Sequence, residues 1–323
     1  MKVFVTGGAG YIGSVSSEQL LDAGHEVVVF DNLELGHRSA VDPRAAFMEG
    51  DLRDAEGIAR ALAETKPDAV IHFAAYALVG ESMQYPERYF KNNIQGGMNL
   101  AEGMLKADVG RIVFSSTCAT YGDPDKVPIC ETESQSPTNP YGDSKLSFEH
   151  VLRWYHECHG MHATFLRYFN ACGATEQYGE DHDPETHVIP LLLQVAQGRH
   201  EGFKIFGTDY DTPDGTCIRD YVHIVDLAQA HIKALDRDGC SAFNLGNGQG
   251  YSVQEVIACV REVTGRDVTV ETDARRPGDP PRLVADATKA RDVLGWEPAF
   301  TSLESIVESA WAWHEKYPDG YGD

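Results

Sequence analysis

The first 23 residues combine a short apolar strand, a glycine-rich turn and a helical pattern, an order that few folds accommodate. Residues 2–6 predict a β-strand, and the turn runs Gly7-Gly-Ala-Gly-Tyr-Ile-Gly13. It satisfies G-x-G-x-x-G and, on Gly7, Gly10 and Gly13, the wider G-x-x-G-x-x-G. Glycines let the backbone turn tightly and approach a pyrophosphate, whose charge is stabilised at a helix N-terminus. The pattern therefore predicts a dinucleotide site.

A carboxylate at the end of the second predicted strand indicates which dinucleotide binds. Asp31 closes that strand 18 residues after Gly13. A carboxylate there accepts hydrogen bonds from the adenosine ribose 2′-hydroxyl and repels a 2′-phosphate, so it favours NAD over NADP. Arg38 can in principle serve a 2′-phosphate, but its position favours a solvated loop. Asp51 fits two roles, a contact to the adenine amino group or a helix N-cap just before Asp54.

Strand-like and helical patterns alternate through the first half of the chain. Runs typical of doubly buried strands cover 3–5, 27–30, 69–73, 111–114 and 163–166, and helical patterns lie between them. Strands separated by helices form right-handed βαβ units around a parallel sheet. We therefore expect an α/β fold, a Rossmann-type doubly wound parallel sheet with a smaller mixed α/β C-terminal substrate domain.

The character of the sequence changes after Asn170, where a polar, turn-rich region replaces the regular alternation. We expect an NAD-binding Rossmann domain over 1–172, to which residues 216–249 partly return. We expect the substrate-binding domain to consist of 173–215 and 250–323.

Charge and cysteine usage exclude several classes of function. Lysine plus arginine number 27 against 50 acidic residues, a net charge of −23 that repels phosphate backbones and anionic lipid. We therefore expect no nucleic-acid partner and no membrane association, and no apolar run approaches the ~20 residues that span a bilayer. The seven cysteines form no Cys-x-x-Cys pair, which is typical of free thiols in a reducing cytoplasm.

Three side chains are candidates for the chemistry. Tyr141 and Lys145, four residues apart, share one face of a helix predicted to begin after Pro140. A free phenol has a pKa of ~10, and a nearby ammonium and a positive nicotinamide ring both favour phenolate; lowering that pKa by about 3 units takes roughly 4 kcal/mol. Thr117 ends a central strand, where its hydroxyl either faces the cofactor crevice or merely caps the strand.

Eight segments form a set of specific motifs: Thr6–Gly13, His72–Ala75, Val79–Ser82, Phe114–Gly122, Asn139–Lys145, Leu166–Asn170, Asp214–His223 and Arg275–Asp279. With them, nearly the whole chain resembles the extended short-chain dehydrogenase/reductase superfamily and, within it, the UDP-glucose 4-epimerases. The resemblance implies a homodimer with tightly held NAD+ that is regenerated at every turnover. It implies galactose metabolism, in which UDP-glucose and UDP-galactose interconvert through a 4-keto sugar that swings about its diphosphate linkage.

The resemblance also implies roles for individual residues. Tyr141 is the base, Lys145 binds the nicotinamide ribose and tunes Tyr141, and Thr117 holds the sugar hydroxyl. The expected cofactor contacts are Gly7, Gly10, Tyr11, Ile12, Gly13, Asp31, Asn32, Asp51, Leu52, Phe73, Ala74, Ala75, Asn92, Ser115, Tyr141, Lys145, Tyr168 and Phe169. The expected UDP-sugar contacts are Thr117, Tyr141, Asn170, His187, Val188, Arg219, Arg276, Asp279 and Leu283. The two arginines can each fork onto phosphate oxygens.

Three positions depart from the usual family pattern, and the identity of the preferred UDP-sugar stays open. Ala77 stands where a lysine contacts the cofactor, Thr117 where serine is common, and Leu283 where a tyrosine or a cysteine sets the pocket width. A 4-epimerase of UDP-N-acetylglucosamine or of UDP-xylose or arabinose uses the same chemistry. A 4,6-dehydratase needs acidic residues just after Thr117, where Cys118 and Ala119 stand. A non-catalytic NAD-sensing scaffold would tolerate loss of the tyrosine or the lysine.

Two histidine-containing segments suggest a metal at first sight. His156, His159 and His162 are spaced by threes without well-placed acidic or cysteine partners. Residues 180–187 are oxygen-rich, and we interpret them as a solvated lid that leads to a segment flanking the uracil. We therefore predict no metal site.

Overall fold

Strands and helices alternate through most of the chain in a computed structural model, which describes residues 1–276 and 279–322. The strands are β1 (Lys2–Thr6), β2 (Glu26–Asp31), β3 (Ala46–Glu49), β4 (Ala69–His72), β5 (Arg111–Thr117), β6 (His162–Tyr168), β7 (Asn170–Cys172), β8 (Phe203–Phe206), β9 (Ile218–His223), β10 (Cys240–Leu245), β11 (Gly250–Ser252), β12 (Val270–Asp273) and β13 (Arg282–Leu283). The α-helices are α1 (Tyr11–Asp22), α2 (Ala55–Thr65), α3 (Val79–Ser82), α4 (Pro86–Tyr89), α5 (Gly97–Lys106), α6 (Pro140–His159), α7 (Val188–Ala196), α8 (Ile224–Ala234), α9 (Val253–Thr264) and α10 (Leu303–Lys316). Short 3-10 turns lie at Arg38–Ala40 and Cys118–Thr120, and π-helical segments at Phe90–Gly96 and Ala290–Leu294.

The large sheet has the order β10-β6-β5-β4-β1-β2-β3, and within the described residues its seven strands are all parallel. The chain builds outward from β1 to β3 and then returns to β4, so the strand order reverses between β1 and β4. A crevice opens at such a reversal, beyond the carboxyl ends of the strands. The prediction of a Rossmann-type doubly wound sheet is confirmed, and the five predicted strands all lie in it.

Both faces of this sheet are buried, as continuous apolar strands require. Val3 and Val5 pack into an apolar cluster with α1 and α8 on one face. Phe4 points the other way, into a cluster with α2, α5 and α6. The alternation along β1 therefore fixes which helices cover which side, and it places the first turns of α1 and α6 near the crevice.

Much of the C-terminal half of the chain forms a third apolar cluster. Helices α7, α9 and α10 pack together with the parallel pair β8 and β12. Helix α9 begins with the predicted capping box of Ser252 and Glu255, which is confirmed. Strand β9 pairs with β7, β11 and β13, and so it links residues 170–172 to this region. The expected C-terminal boundary, Asp323, lies outside the described residues.

Among the described residues, no helix has the length and apolar character needed to traverse a membrane.

A buried ion pair ties α6 to the sheet directly behind the crevice. Arg167 of β6 donates from Nε to Oε1 of Glu149 at 2.9 Å and from Nη2 to Oε2 at 2.5 Å. Ser116 of β5 donates to the same carboxylate at 2.6 Å. Both charged side chains are almost fully buried, so each depends on the other for solvation.

We expect Arg167→Met to lower the free energy of unfolding by about 3–5 kcal/mol, because it leaves the Glu149 carboxylate buried without its counter-charge. Arg153→Met is the matched control. Arg153 approaches the same carboxylate at 3.7 Å from a side chain that is 43% exposed, so we expect a loss of about 1 kcal/mol or less. Urea denaturation measures both, and equal losses would contradict this account.

Candidate active site

The glycine turn forms a close-fitting cradle at the reversal of strand order. Gly7 has φ +73°, and a Cβ there would lie 2.5 Å from the backbone nitrogen of Ala74. A Cβ on Gly13 would lie 2.0 Å from the carbonyl oxygen of Gly7, so α1 can start this close to β1 only with glycine. Gly10 precedes α1 without a capping side chain. The first amide groups of the helix are therefore available to an anion.

Asp31 lies at the end of β2, beside this cradle. Its Oδ2 accepts a hydrogen bond from the Ala9 amide at 3.0 Å, and its Oδ1 accepts one from Leu33 at 2.9 Å. Burial raises the pKa of Asp31, and these two amides oppose that rise. The predicted ribose contact is therefore also an anchor of the glycine turn.

Asp51 is held by neighbouring side chains rather than by a helix end. Arg53 donates to both of its oxygens and Asn32 donates to Oδ2 at 3.0 Å. Hydrogen bonds from Arg53 lower the pKa of Asp51 to about 2. The N-cap of α2 is Asp54, which accepts from the Gly57 amide, so the N-cap interpretation of Asp51 is wrong. The contact to adenine stays a prediction.

The helical region between β4 and β5 contains a π-helical segment, Phe90–Gly96. Asn92, the predicted contact, is partly buried and donates to Oδ1 of Asn93. Asn93, which the sequence analysis missed, is buried and bonds both backbone groups of Tyr76 and the hydroxyl of Ser144. Nothing in an Asn-Asn pair tells which member points inward; the π turn decides it.

Leu52, Phe73 and Ala75 lie around the same crevice. The amides of Phe73 and Ala74 donate to the Thr6 carbonyl oxygen at 3.0 and 3.1 Å, which joins the end of β4 to that of β1. The ring of Phe73 packs on the ring of His231 at 4.7 Å. Leu52 is buried against Gly96.

Tyr141, Lys145 and Thr117 come together at the carboxyl end of β5. Asn139 caps α6 by accepting from the Gly142 amide at 2.9 Å, which fixes Tyr141 in the first helical turn. Lys145 Nζ donates to the Ser115 carbonyl oxygen at 2.9 Å and lies 6.0 Å from the centre of the Tyr141 ring. All three side chains are buried, and the hydroxyl of Thr117 faces the Tyr141 phenol.

Five further expected cofactor contacts are buried or partly buried. The Ser115 hydroxyl and the Tyr168 phenol are hydrogen-bonded at 2.9 Å. Phe169 is buried, and its amide donates to the Leu245 carbonyl oxygen at 3.2 Å. Tyr11 donates its phenol to the Gly173 carbonyl oxygen at 2.6 Å, and Ile12 is partly buried next to it.

Burial dominates the acid–base behaviour of the pair. It raises the pKa of the Tyr141 phenol, with Tyr168 adding to the rise and Thr117 opposing it. It lowers the pKa of Lys145 to about 7. From the sequence we expect Lys145 and the positive nicotinamide ring together to acidify Tyr141, and for the cofactor-bound site this stays a prediction. In the protein chain by itself, desolvation penalises the charged forms of both side chains.

A cavity lies in the C-terminal region. It is lined by the predicted Val188, Arg276 and Asp279. Lining residues that the sequence analysis missed include Thr186, Lys204, Phe206 and Cys217. The guanidinium of Arg276 lies 4.1 Å from the centre of the Phe206 ring, so the cavity offers a cation backed by an aromatic face. Pro277 and Gly278, within the Arg275–Asp279 motif, lie outside the described residues.

Strand β9 and its partners position the remaining expected contacts. Arg219 is largely buried and forms an ion pair with Asp279. Asn170 donates to the Asp220 carbonyl oxygen at 2.8 Å. Leu283 pairs with Arg219 across β13 and β9, and it packs on a cluster that contains Phe169. Cys118, which follows Thr117, packs on the same cluster, so Leu283 lies near the reactive end of the crevice.

Residues 180–187 differ from the sequence interpretation. The side chains of Glu180 and Glu185 are 6% and 4% exposed, so the predicted solvated lid is wrong for these two residues, whereas Asp183, Pro184, Thr186 and His187 are exposed. His187 precedes α7, with Nδ1 at 2.8 Å from Glu180 Oε1 and 3.0 Å from Glu185 Oε1. Burial disfavours the charged form of His182, but Glu180 and Glu185 outweigh it and raise the pKa of His182 to about 9.

Residues 3–246 match the NAD dependent epimerase/dehydratase family, which covers most of the chain. The chain belongs to this family. Its curated relatives named UDP-glucose 4-epimerase include one from Lacticaseibacillus casei, 50% identical over 100% of this chain and 99% of the relative. Another, from Streptomyces lividans, is 49% identical over 100% of this chain and 98% of the relative. The resemblance inferred from the motifs is confirmed.

Solved structures of the same family superpose over almost the whole chain. UDP-glucose 4-epimerase from Brucella ovis, in complex with NAD, gives a TM-score of 0.93 at 45% identity and covers 96% of this chain and 97% of its own. The enzyme from Bifidobacterium longum, in complex with NAD+ and UDP, gives 0.95 at 38% identity and covers 99% and 100%.

The lowered pKa of Lys145 predicts how stability depends on pH. In protein freed of nucleotide, both the folded and unfolded chains hold this proton below pH 7, and the folded chain bears the full desolvation penalty. Between pH 7 and ~10.4 only the unfolded chain holds it, so the penalty is relieved as pH rises. We expect Lys145→Met to stabilise the fold, with an advantage that shrinks by roughly 3 kcal/mol between pH 7 and pH 9.5.

Denaturation at the two pH values measures this difference. Lys106→Met removes an exposed lysine at the end of α5, and its effect is expected to be the same at both. An advantage of Lys145→Met that does not change with pH would contradict the assignment.

Proposed function

We propose that the chain is a UDP-glucose 4-epimerase, an NAD-dependent isomerase that interconverts UDP-glucose and UDP-galactose through a 4-keto intermediate. The observation that carries this proposal is the meeting of the buried side chains of Tyr141, Lys145 and Thr117 at the carboxyl end of β5. The same chain has a glycine cradle that fits a dinucleotide and a cavity whose lining includes Arg276 and Asp279. The full-length similarity to enzymes of that name supports it.

The residues around the cradle fit NAD. The close approach of Gly7 and Gly13 leaves room for a pyrophosphate at the start of α1, and Asp31 presents a carboxylate to a ribose. Lys145, whose ammonium bonds the Ser115 carbonyl oxygen near the end of β5, is the group that can bond the second ribose. NAD, when bound, takes up and returns the hydride and contributes positive charge while oxidised.

The reactive phenol needs that charge. Because burial favours the neutral form of Tyr141, its proton leaves only when a cation lies close, and Lys145 by itself is too weakly charged near pH 7. Tyr141 is therefore a base toward the sugar 4-hydroxyl when positive charge is present, and an acid when it is absent. Thr117 faces the phenol and holds the same hydroxyl on the proton path.

The nucleotide end provides the binding energy. Arg219 and Arg276 can each place two N–H donors on phosphate oxygens, and Asp279 can accept from ribose hydroxyls. A substrate held by its UDP portion leaves the sugar free to present either face. Affinity is thereby concentrated in the part that does not react.

Two finer proposals accompany the activity. We propose a homodimer formed through the outer faces of α5 and α6, which pack on the same side of the sheet and expose Met98, Leu105 and Trp154. Phe90, at the start of the π segment, adds to this apolar surface.

We also propose the cytoplasm as the location, because all seven cysteines are free thiols.

Tyr141→Phe tests the assigned base. We expect turnover of UDP-galactose to fall by about 10²–10⁴-fold, because the variant lacks the phenol assigned to take the 4-hydroxyl proton, while NAD stays bound on gel filtration. Tyr155→Phe makes the same change on the same helix, away from the crevice, and is expected to retain activity. Undiminished turnover in Tyr141→Phe would remove this residue from the mechanism.

Leu283→Tyr tests the wall of the sugar pocket. We assay UDP-glucose, UDP-N-acetylglucosamine and UDP-xylose on both proteins. A larger side chain beside Phe169 and Cys118 is expected to lower the rate with the N-acetylated sugar more than tenfold relative to UDP-glucose. An unchanged ratio would place Leu283 outside the pocket. Wild-type preference for the N-acetylated or pentose sugar would favour the alternative epimerases.

Trp154→Glu tests the proposed dimer. Light scattering on the wild type is expected to give twice the chain mass, and a charge at this 69% exposed tryptophan is expected to shift the protein toward one chain. Val293→Glu places the same charge at a 42% exposed apolar residue in the 290–294 segment, and is expected to leave the mass unchanged. A wild-type monomer would refute the proposal.

A further inference from the structure

Four side chains between β7 and α7 converge outside the reactive centre: Glu180, His182, Glu185 and His187, here called the His–Glu cluster. One donor atom from each lies within 4.8 Å of the other three. His182 Nδ1 is 3.3 Å from Glu180 Oε1 and 3.6 Å from Glu185 Oε2, and His187 Nδ1 is 2.8 and 3.0 Å from the two glutamates. Imidazole and carboxylate groups thus alternate around one point.

We propose that the His–Glu cluster binds one divalent transition-metal ion of the zinc class, through Nδ1 of each histidine and one oxygen of each glutamate. Ligand bonds of 2.0–2.2 Å in a tetrahedral site place neighbouring donor atoms about 3.3–3.6 Å apart. With Glu180 Oε1 and Glu185 Oε2 as the oxygen donors, the three nitrogen–oxygen distances of the cluster are 3.3, 3.6 and 2.8 Å, while His187 Nδ1 approaches the other oxygen of Glu185, Oε1, at 3.0 Å. Only small shifts of these side chains would be required.

Unused hydrogen-bonding capacity inside the cluster points the same way. Glu185 is 4% exposed at its side chain, yet its Oε2 has no hydrogen-bond partner among the described residues. His182 Nδ1, which it faces at 3.6 Å, is also buried and without one in that part of the chain. Buried polar atoms are rarely left in this state, and a shared cation satisfies both.

The surroundings hold the donors in position and favour zinc over the alkaline-earth ions. Glu185 Oε1 accepts the backbone amides of Thr186 and His187 at 2.6 and 2.7 Å, which fixes the direction of its carboxylate. The ring of Tyr11 packs edge-on against His182, with centres 6.1 Å apart. Two nitrogen donors suit zinc, whereas calcium and magnesium prefer oxygen alone.

The position of the cluster gives the ion a structural role. Tyr11 belongs to the glycine turn, and His187 begins α7, whose Val188 lines the nucleotide cavity. An ion held here would tie the cofactor side of the crevice to the substrate side without touching the reacting groups. No metal was predicted from the sequence, because the polar composition of residues 180–187 favoured a solvent-exposed loop.

Equilibrium dialysis of the metal-stripped full chain against micromolar Zn2+, with metal analysis, tests the proposal without any assay of turnover. We expect one ion per chain, and an affinity at least about tenfold weaker in His182→Gln and in Glu185→Gln. His159→Gln removes an exposed histidine at the end of α6 and is expected to bind as the wild type does. Circular dichroism of each variant establishes that it is folded.

A second measurement on the wild type requires no variant. Zn2+ is expected to raise the melting temperature, and Mg2+ at the same concentration is expected not to. Co2+ in place of zinc is expected to give the visible bands of a tetrahedral nitrogen–oxygen site. Absence of stoichiometric binding, unchanged affinity in both folded cluster variants, or a thiolate charge-transfer band from cysteine would overturn the proposal and leave an ion-pair cluster only.

Discussion

The burial of Tyr141 and Lys145 in one crevice is the constraint from which the chemistry of the site follows. Burial disfavours the charged form of both side chains, because it raises the pKa of the Tyr141 phenol and lowers the pKa of the Lys145 amine to about 7. In a site of this kind the phenol keeps its proton until a cationic group binds beside it. Under the proposed function, the Tyr141 phenol therefore releases its proton only when oxidised cofactor is bound, and it stays protonated in the absence of that cofactor.

The scaffold keeps these groups in register by placing them on neighbouring elements that are tied together below the surface. Strand β5 supplies Thr117 and the carbonyl oxygen that receives the Lys145 ammonium, and α6 supplies the other two side chains. Glu149, about one turn beyond Lys145 along α6, is fixed to β5 by Ser116 and to β6 by Arg167. Helix and strands therefore have little freedom to slide past one another.

Most of the architecture could be predicted from the sequence because the central strands are short apolar runs between helical patterns. Strands β3 and β10 were not predicted, because Ala46–Glu49 is partly exposed and Cys240–Leu245 mixes polar with apolar residues. The expected side chains of the reactive centre were identifiable from motif and spacing. Their pKa values were not, because desolvation depends on long-range packing.

The same limit applies to two polar segments. Which of Asn92 and Asn93 is the more buried depends on a π turn, and Glu180 is buried in a small cavity that Trp313 and His314 of α10 also line. The residues of both segments are mostly polar, but the fold buries some of these polar side chains, and local composition does not indicate which ones. Tertiary packing overrides local pattern at these positions.

Asp31 has a consequence for anyone wishing to re-engineer the protein toward a phosphorylated dinucleotide. Its carboxylate receives the Ala9 amide as well as facing the expected ribose, so exchanging it for a neutral or basic residue removes a structural acceptor along with a selectivity element. A successful redesign must install a substitute acceptor for that amide in the same step.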